Sequence, residues 1–129
     1  MLIFNKTCNF NIPINDLKSR LRLDNEWYTL FRWGNYCFYH AENITPLKII
    51  KNSIKKYACK RKPFGEYYLF FGGKLDGKWI KINGNNEPFY AYGEIYTKHT
   101  WLIGTEFVFI YAECDIEKQH IIDTIMRTN

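Results

Sequence analysis

Residues 26–42 have the sequence EWYTLFRWGNYCFYHAE, and this stretch predicts a β-hairpin. Two aromatic-rich runs flank Gly34 and Asn35, a two-residue turn signal with glycine first, as a type II′ turn prefers. The turn fixes the register, because strand residues alternate between the two faces of a sheet. On one face, the predicted cross-strand pairs are Trp33 with Tyr36, Phe31 with Phe38, Thr29 with His40, and Trp27 with Glu42.

The hairpin is followed by a predicted amphipathic helix. Thr45 is a good helix cap, and Pro46 is tolerated at the first helical position because its missing N–H would be unpaired there anyway. Apolar and basic side chains then recur at helical spacing on opposite sides. The apolar set is Leu47, Ile50, Ile54 and Tyr57, and the polar set is Lys48, Lys51, Asn52 and Lys55.

Downstream of this helix the pattern predicts an antiparallel meander. Its strands are 66–74, 78–83, 88–98 and 101–114, with turns at Asp76-Gly77, at Gly84-Asn85-Asn86 and near His99-Thr100. Further helices are predicted from Asp16 to Arg22 and from Asp115 to about Arg127. The predicted fold class is therefore α+β: a mostly antiparallel sheet of about six strands, one hairpin plus a four-strand meander, with two main helices packed on one face and a short N-terminal helix.

The size of the chain predicts a single domain, residues 1–129. A chain of this length can bury a self-sufficient core, and ten Tyr, ten Phe and four Trp supply large rings for it. The sequence shows no internal repeat, no low-complexity tract and no linker.

The net positive charge of the chain comes from one stretch. Between Glu42 and Glu66 there is no acidic residue, and the stretch holds seven bases: Lys48, Lys51, Lys55, Lys56, Lys60, Arg61 and Lys62. Without them, the 18 Lys and Arg residues fall to 11 against 13 Asp and Glu, so the net charge changes from +5 to −2. Concentrated positive charge attracts anionic partners. The alternative is a solvated helix face, with lysines favoured at the helix end by the helix dipole.

A second candidate surface lies on the predicted strand 88–98. In a regular strand, Tyr90, Tyr92 and Tyr96 share one face. If that face is exposed, the tyrosines form a platform for stacked bases or a partner loop. Ordinary cross-strand aromatic pairing is the alternative.

The histidines suggest weak catalytic candidates. A metal-independent ribonuclease needs acid–base groups that titrate near neutral pH. His40 and Glu42, two apart on one strand face, could form such a pair, and His99 at a predicted strand end is another candidate. Hydrogen-bonded structural histidines are more common than catalytic ones. We predict no metal site and no cofactor, since Cys37 and His40 lie three apart on a strand and so point to opposite faces.

Composition predicts an intracellular protein. No apolar run approaches the roughly 18 residues of a membrane span, and the N-terminus lacks a secretory signal pattern. We therefore expect a cytoplasmic location and no membrane partner. The four cysteines have irregular spacings that predict reduced thiols. Lys outnumbers Arg 13 to 5, a bias that suits an AT-rich genome such as that of many bacteria, phages or large viruses.

These patterns predict a small binding protein that uses the basic helix and surface aromatics to bind an anionic partner. Nucleic acid or a nucleotide is the first hypothesis. The second is a phage- or mobile-element-encoded inhibitor or adaptor that docks on a larger host enzyme through an acidic protein surface. The third is a metal-independent ribonuclease.

Overall fold

The computed structural model describes residues 1–84 and 87–129, and in this part of the chain it contains ten strands and two α-helices. The first five strands and the first helix are β1 (Leu2–Phe4), β2 (Asn9–Asn11), β3 (Arg20–Leu23), β4 (Glu26–Trp33), β5 (Tyr36–Ala41) and α1 (Pro46–Tyr57). The remaining elements are β6 (Tyr67–Phe71), β7 (Trp79–Lys81), β8 (Phe89–Ala91), β9 (Glu94–Ile103), β10 (Glu106–Glu113) and α2 (Lys118–Met126).

The strands form two mixed five-stranded sheets, each curved into a half-barrel. The first sheet has the order β2-β1-β5-β4-β3, and the second has the order β7-β6-β10-β9-β8. The predicted single antiparallel sheet with helices on one face is therefore wrong. The parallel pairs β1–β5 and β6–β10 join strands that are distant in sequence. Local turn signals cannot reveal such pairs, and a strand of three residues is too short to show a clear alternation.

The two halves of the chain have the same topology. If β1 to β5 and α1 are numbered as one unit, β6 to β10 and α2 repeat the unit with the same strand order and the same single parallel pair. The prediction of no internal repeat is thus wrong at the level of structure. The sequences of the two halves show no repeat, and what the halves share is the strand order, turn geometry and buried positions.

The hairpin turns show this shared geometry most clearly. Gly34 and Gly104 have φ values of 57° and 64°, and each lies first in the two-residue turn of its central hairpin, β4–β5 or β9–β10. This confirms the predicted turn at Gly34 and the pairing of Trp33 with Tyr36 and Phe31 with Phe38. The predicted pair of Trp27 and Glu42 lies beyond the last bridge of the hairpin, Tyr28 with Ala41.

A second pair of equivalent turns corrects the prediction for strand 88–98. Tyr92 and Gly93 both have positive φ, at 54° and 75°, so the chain reverses there between β8 and β9. In the first half, Asp24 and Asn25 make the matching turn between β3 and β4. Positive φ at both central residues is the requirement of a type I′ turn. Tyrosine rarely occupies such a position, which is why the sequence hides this turn.

Other element bounds also differ from the prediction. His99 and Thr100 lie inside β9 rather than at a turn, because Gly104 supplies the positive φ where the chain does reverse. The predicted helix 16–22 is replaced by irregular chain and β3, whose pairing with β4 overrides the weak local helix signal. Strand 66–74 ends at Phe71, and a short 3₁₀ turn, Gly73–Leu75, follows. The final helix begins at Lys118 rather than after Asp115, and part of the predicted turn at 84–86 lies outside the described residues.

A central apolar core draws on both sheets and both helices. Its fully or almost fully buried members include Phe4, Trp33, Phe38, Ile50, Leu69, Ile110, Ile121 and Ile125. The helices reach across between the halves. The N–H of Asn35, in the first central hairpin, donates to Gln119 Oε1 on α2 at 2.9 Å. In the other direction, the start of α1 lines a small cavity together with Ile103 and Gly104 of the second central hairpin.

The two equivalent turn glycines provide a matched pair of variants. A Cβ at Gly34 would lie 2.6 Å from Gln119 Oε1 and 2.8 Å from Ile122 Cδ1, whereas a Cβ at Gly104 would have nothing within 4 Å. We expect Gly104→Ala to lower the free energy of unfolding by about 1 kcal/mol through backbone strain alone. Gly34→Ala should cost about 1 kcal/mol more, because the Gln119 and Ile122 side chains must also shift and the hydrogen bond from the Asn35 N–H to Gln119 is disturbed. Urea unfolding of both variants measures the difference, and equal losses would contradict the proposed packing of α2 on this turn.

Replacement of Tyr92, which has a positive φ, is expected to stabilise the protein. Asparagine is preferred over tyrosine before glycine in a type I′ turn, so Tyr92→Asn should stabilise the protein by about 0.5–1 kcal/mol. The control is Tyr90→Asn in β8, where asparagine disfavours the strand and no gain is expected. Thermal unfolding followed by circular dichroism compares the two. A lower melting temperature for Tyr92→Asn would contradict the turn assignment.

Candidate anion-binding surface

The predicted basic helix is present as α1. Thr45 caps it, and its side-chain oxygen accepts a hydrogen bond from the Lys48 N–H at 3.2 Å. The lysines expected on the outside, Lys48, Lys51 and Lys55, are exposed. The buried side is formed by Ile49, Ile50, Ser53 and Ile54, while Leu47, which was predicted to be buried, is half-buried.

Residues 58–66, here called the basic linker, connect the two halves and are held against the second sheet. The Cys59 N–H donates to the Gly77 carbonyl at 2.7 Å, and Trp79 Nε1 donates to the Lys60 carbonyl at 2.8 Å. Lys62 Nζ lies 6.0 Å from the centre of the Trp79 ring. These contacts fix the linker beside β7, which is an edge strand of the second sheet.

Three adjoining depressions lie along the linker, α1 and the second sheet, with volumes of about 390, 530 and 410 Å³. We call them together the basic groove. Six basic side chains line them: Lys51, Lys55, Lys60, Arg61, Lys62 and Lys78. Among the described residues, no acidic side chain lines any of the three. The structure therefore brings together five of the seven bases that the sequence singled out and adds Lys78, which directly precedes β7.

The remaining bases of the predicted stripe lie elsewhere or are already partnered. Lys48 and Lys56 do not line the groove, and Lys56 Nζ donates to Asn129 Oδ1 at 3.3 Å. Lys51 lines the groove but forms a 2.9 Å ion pair with Glu106, in which both side chains are about half exposed. An exposed pair of this kind contributes little to stability, typically about 0–1 kcal/mol. Apart from Lys51, the bases that line the groove are thus Lys55 near the end of α1, Lys60, Arg61 and Lys62 in the linker, and Lys78.

Aromatic rings line the same groove, and none of them was among the aromatic site residues predicted from the sequence. The ring-bearing residues are Tyr67, Tyr68, Trp79, Phe107 and Phe109. Lys98 Nζ lies 4.8 Å from the centre of the Phe109 ring. Phe64, in the linker itself, is fully exposed. A phenylalanine between proline and glycine, directly after three consecutive bases, was the sequence signal that could have identified this ring.

The predicted tyrosine platform does not form. Tyr96 is fully buried, and its hydroxyl donates to Glu94 Oε2 at 2.7 Å. Burial and the neighbouring carboxylate raise the pKa of Tyr96 to about 12. Tyr90 and Tyr92 are exposed, but they lie at β8 and its turn, on the opposite edge of the second sheet from β7. The turn at Tyr92 breaks the alternation on which the shared face depended.

The catalytic candidates have structural partners of their own. His40 Nδ1 lies 2.9 Å from the carbonyl oxygens of both Ala41 and Ile44, so its ring ties the chain after β5. Glu42 forms a 3.0 Å ion pair with Arg20. His99 is stacked near Trp101, and burial followed by the charge of Lys118 lowers its pKa. None of these candidates lines the basic groove.

The cysteines and acidic residues give no metal centre in the described part of the chain. Cys8, Cys37, Cys59 and Cys114 are all free. Residues 1–84 and 87–129 contain no cluster of three or more His, Cys, Asp or Glu side chains arranged to hold a metal ion. In the same residues, neither helix has the length and apolar character needed to cross a bilayer.

A group of carboxylates surrounds the loop after β6. The Gly72 N–H donates to Asp76 Oδ1 at 2.8 Å, and the Lys74 N–H donates to Glu94 Oε2 at 3.2 Å. A Cβ on Gly73 would lie 1.8 Å from Glu94 Oε2 and 2.8 Å from Glu113 Oε1, so only glycine fits between the two carboxylates. Partial burial raises the pKa of Glu113, and the charges of Glu94, Asp115 and Asp76 raise it further.

The raised pKa of Glu113 predicts a pH-dependent effect of Glu113→Gln. The unfolded chain loses this proton at lower pH than the folded protein, so wild-type stability falls as the pH rises through the folded pKa. The glutamine variant avoids that loss. We expect it to be more stable than wild type at pH 7, by at most about 1 kcal/mol, and equal to wild type at acidic pH where Glu113 is protonated in both states. Thermal unfolding of both proteins between acidic pH and pH 7 measures this difference in stability. A stability gain of Glu113→Gln that is largest in acid would contradict the raised pKa of Glu113.

Comparisons with known proteins leave the chain without an assigned relative. No protein-family model matches it, and neither a curated protein nor a solved structure matches it.

Proposed function

We propose that the protein binds nucleic acid or a nucleotide through the basic groove. The observation that carries this proposal is the lining of the groove, where six bases converge and no acidic side chain of the described residues is present. A positive groove raises the local concentration of anionic ligands and speeds their association. Phosphate is the anion that several neighbouring lysines and an arginine suit best, because each contact also releases a counterion.

The position of these bases supports a role beyond solubility. Lys60, Arg61 and Lys62 are held beside β7 by two backbone-directed hydrogen bonds, so their charge is displayed at a fixed place. The four unpaired cysteines suit a reducing compartment, and we place the protein in the cytoplasm, where nucleic acids are accessible.

The other hypotheses have weaker support. An acidic surface of a larger host enzyme remains the second candidate, because exposed apolar side chains lie next to the bases, as at many protein interfaces. The ribonuclease hypothesis has no such observation, since His40, Glu42 and His99 lie away from the groove and have other partners.

The proposal predicts salt-dependent binding that depends on the linker. Fluorescence anisotropy with a labelled oligonucleotide should give an affinity that falls with salt concentration. Reversing two charges in Lys60→Glu/Lys62→Glu should weaken binding at least tenfold and reduce the log–log salt slope by roughly 1.4 for a single strand. The melting temperature should change little, since both side chains are exposed.

The control reverses two exposed lysines outside the groove. Lys6→Glu/Lys18→Glu changes the net charge by the same amount, and neither residue lines the groove. It should retain most of the affinity and all of the salt slope. Equal losses in both variants would indicate a nonspecific effect of net charge, and that result would overturn the proposal.

A further inference from the structure

The second central hairpin exposes a pair of apolar side chains at the mouth of the groove. Leu102 on β9 and Phe107 on β10 lie directly opposite each other and are 61% and 58% exposed. Phe109, two residues further along β10, lies on the same face and is half-buried against Tyr68 at a ring distance of 6.0 Å. Exposed apolar side chains grouped in this way mark binding surfaces more often than isolated ones do.

The first half of the chain serves as an internal control for this surface. When the two central hairpins are aligned on Gly34 and Gly104, Arg32 and Cys37 occupy the positions of Leu102 and Phe107. The fold therefore accepts a charged and a smaller side chain there. The apolar pair of the second half is a property of this half and is not needed to form the hairpin.

Phe109 and its counterpart in the first half, Tyr39, also differ in how far they are buried. Tyr39 takes the place of Phe109 and is fully buried, because the chain before β3 crosses it. The Tyr39 hydroxyl donates to the Lys18 carbonyl at 2.6 Å and accepts from the Lys18 N–H at 3.1 Å. At this position the face of the sheet is thus covered in the first half, whereas Phe109 in the second half is only half-buried.

We infer that the basic groove takes single-stranded nucleic acid, with a base stacked on Phe107 and its phosphates on the linker bases. This inference rests on the proposed function and names its substrate class. A single strand presents unpaired base faces to aromatic side chains, whereas a duplex keeps its bases stacked on each other. Trp79 lines two of the three depressions and extends the set of rings beside the linker bases.

The composition of the surface favours a nucleic acid over a protein partner. The cores of protein–protein interfaces are depleted of lysine, but here the rings alternate with lysines. Lys62 lies over Trp79, Lys98 lies over Phe109, and Lys55 lines the same depression as Phe107. Rings that alternate with cations match the alternation of bases and phosphates along a single strand.

The test compares ring and charge variants on three probes: a labelled thymidine oligonucleotide, a duplex of the same length, and thymidine monophosphate as competitor. Wild type should bind the single strand more tightly than the duplex. Phe107→Ser should weaken single-strand binding about tenfold, leaving the salt slope and duplex binding unchanged. Phe107→Trp should retain or improve single-strand binding, because the position then still offers an aromatic ring, and the unchanged duplex binding of Phe107→Ser reports that this variant is folded. Tyr90→Ser, an equally exposed ring on the far edge, should bind like wild type.

The outcomes separate the two proposals. If Phe107→Ser and Phe107→Trp both bind like wild type while the linker charge reversal still weakens binding, the stacking inference fails and the proposed function stands. Tighter binding of the duplex than of the single strand would also overturn the stacking inference. If neither oligonucleotide binds with a salt dependence, both proposals fail. Full competition by thymidine monophosphate at equal concentration would identify a nucleotide site and overturn the extended groove.

Discussion

Burial of the inner faces of the two sheets is the constraint on which the rest of the structure depends. Each sheet is a half-barrel with an apolar inner face, and neither α-helix alone covers one. The two halves bury these apolar faces in one shared core. In this core, Phe38 and Ile110 from the two sheets pack with Ile50 and Ile122 from the two helices. The reciprocal contacts between helix starts and opposite hairpin turns follow from this shared burial.

The same arrangement explains where the positive charge is displayed. The basic linker must travel from the end of α1 to the start of β6, and it passes along the edge strand β7 on the way. Its backbone is hydrogen-bonded there through Cys59 and Lys60, and the exposed residues Lys60, Arg61 and Lys62 line the depressions beside this strand. Repeated topology supplies the scaffold, and the connection between the repeats carries the charge.

Comparison of the two halves separates what the fold requires from what one half has added. Positions that face the shared core are apolar in both, as with Phe38 and Val108, while the exposed hairpin positions are polar in one half and apolar in the other. A fold that tolerates Arg32 does not require Leu102 at the equivalent site. Each position of one central hairpin therefore has an equivalent position in the other central hairpin of the same chain.

The sequence by itself determined the features that are encoded within a few residues. The Gly34 turn with its register, the Thr45-Pro46 start of α1 and the concentration of bases after it were all predictable, because turn geometry, capping and helical periodicity are local. Only the tertiary structure decided the parallel pairs, the duplicated topology and the hidden turn at Tyr92. It also decided which rings join the bases in the groove, since Trp79, Phe107 and Lys62 are separated in sequence and meet only when β7 and β10 flank β6 in the second sheet and the linker lies beside β7.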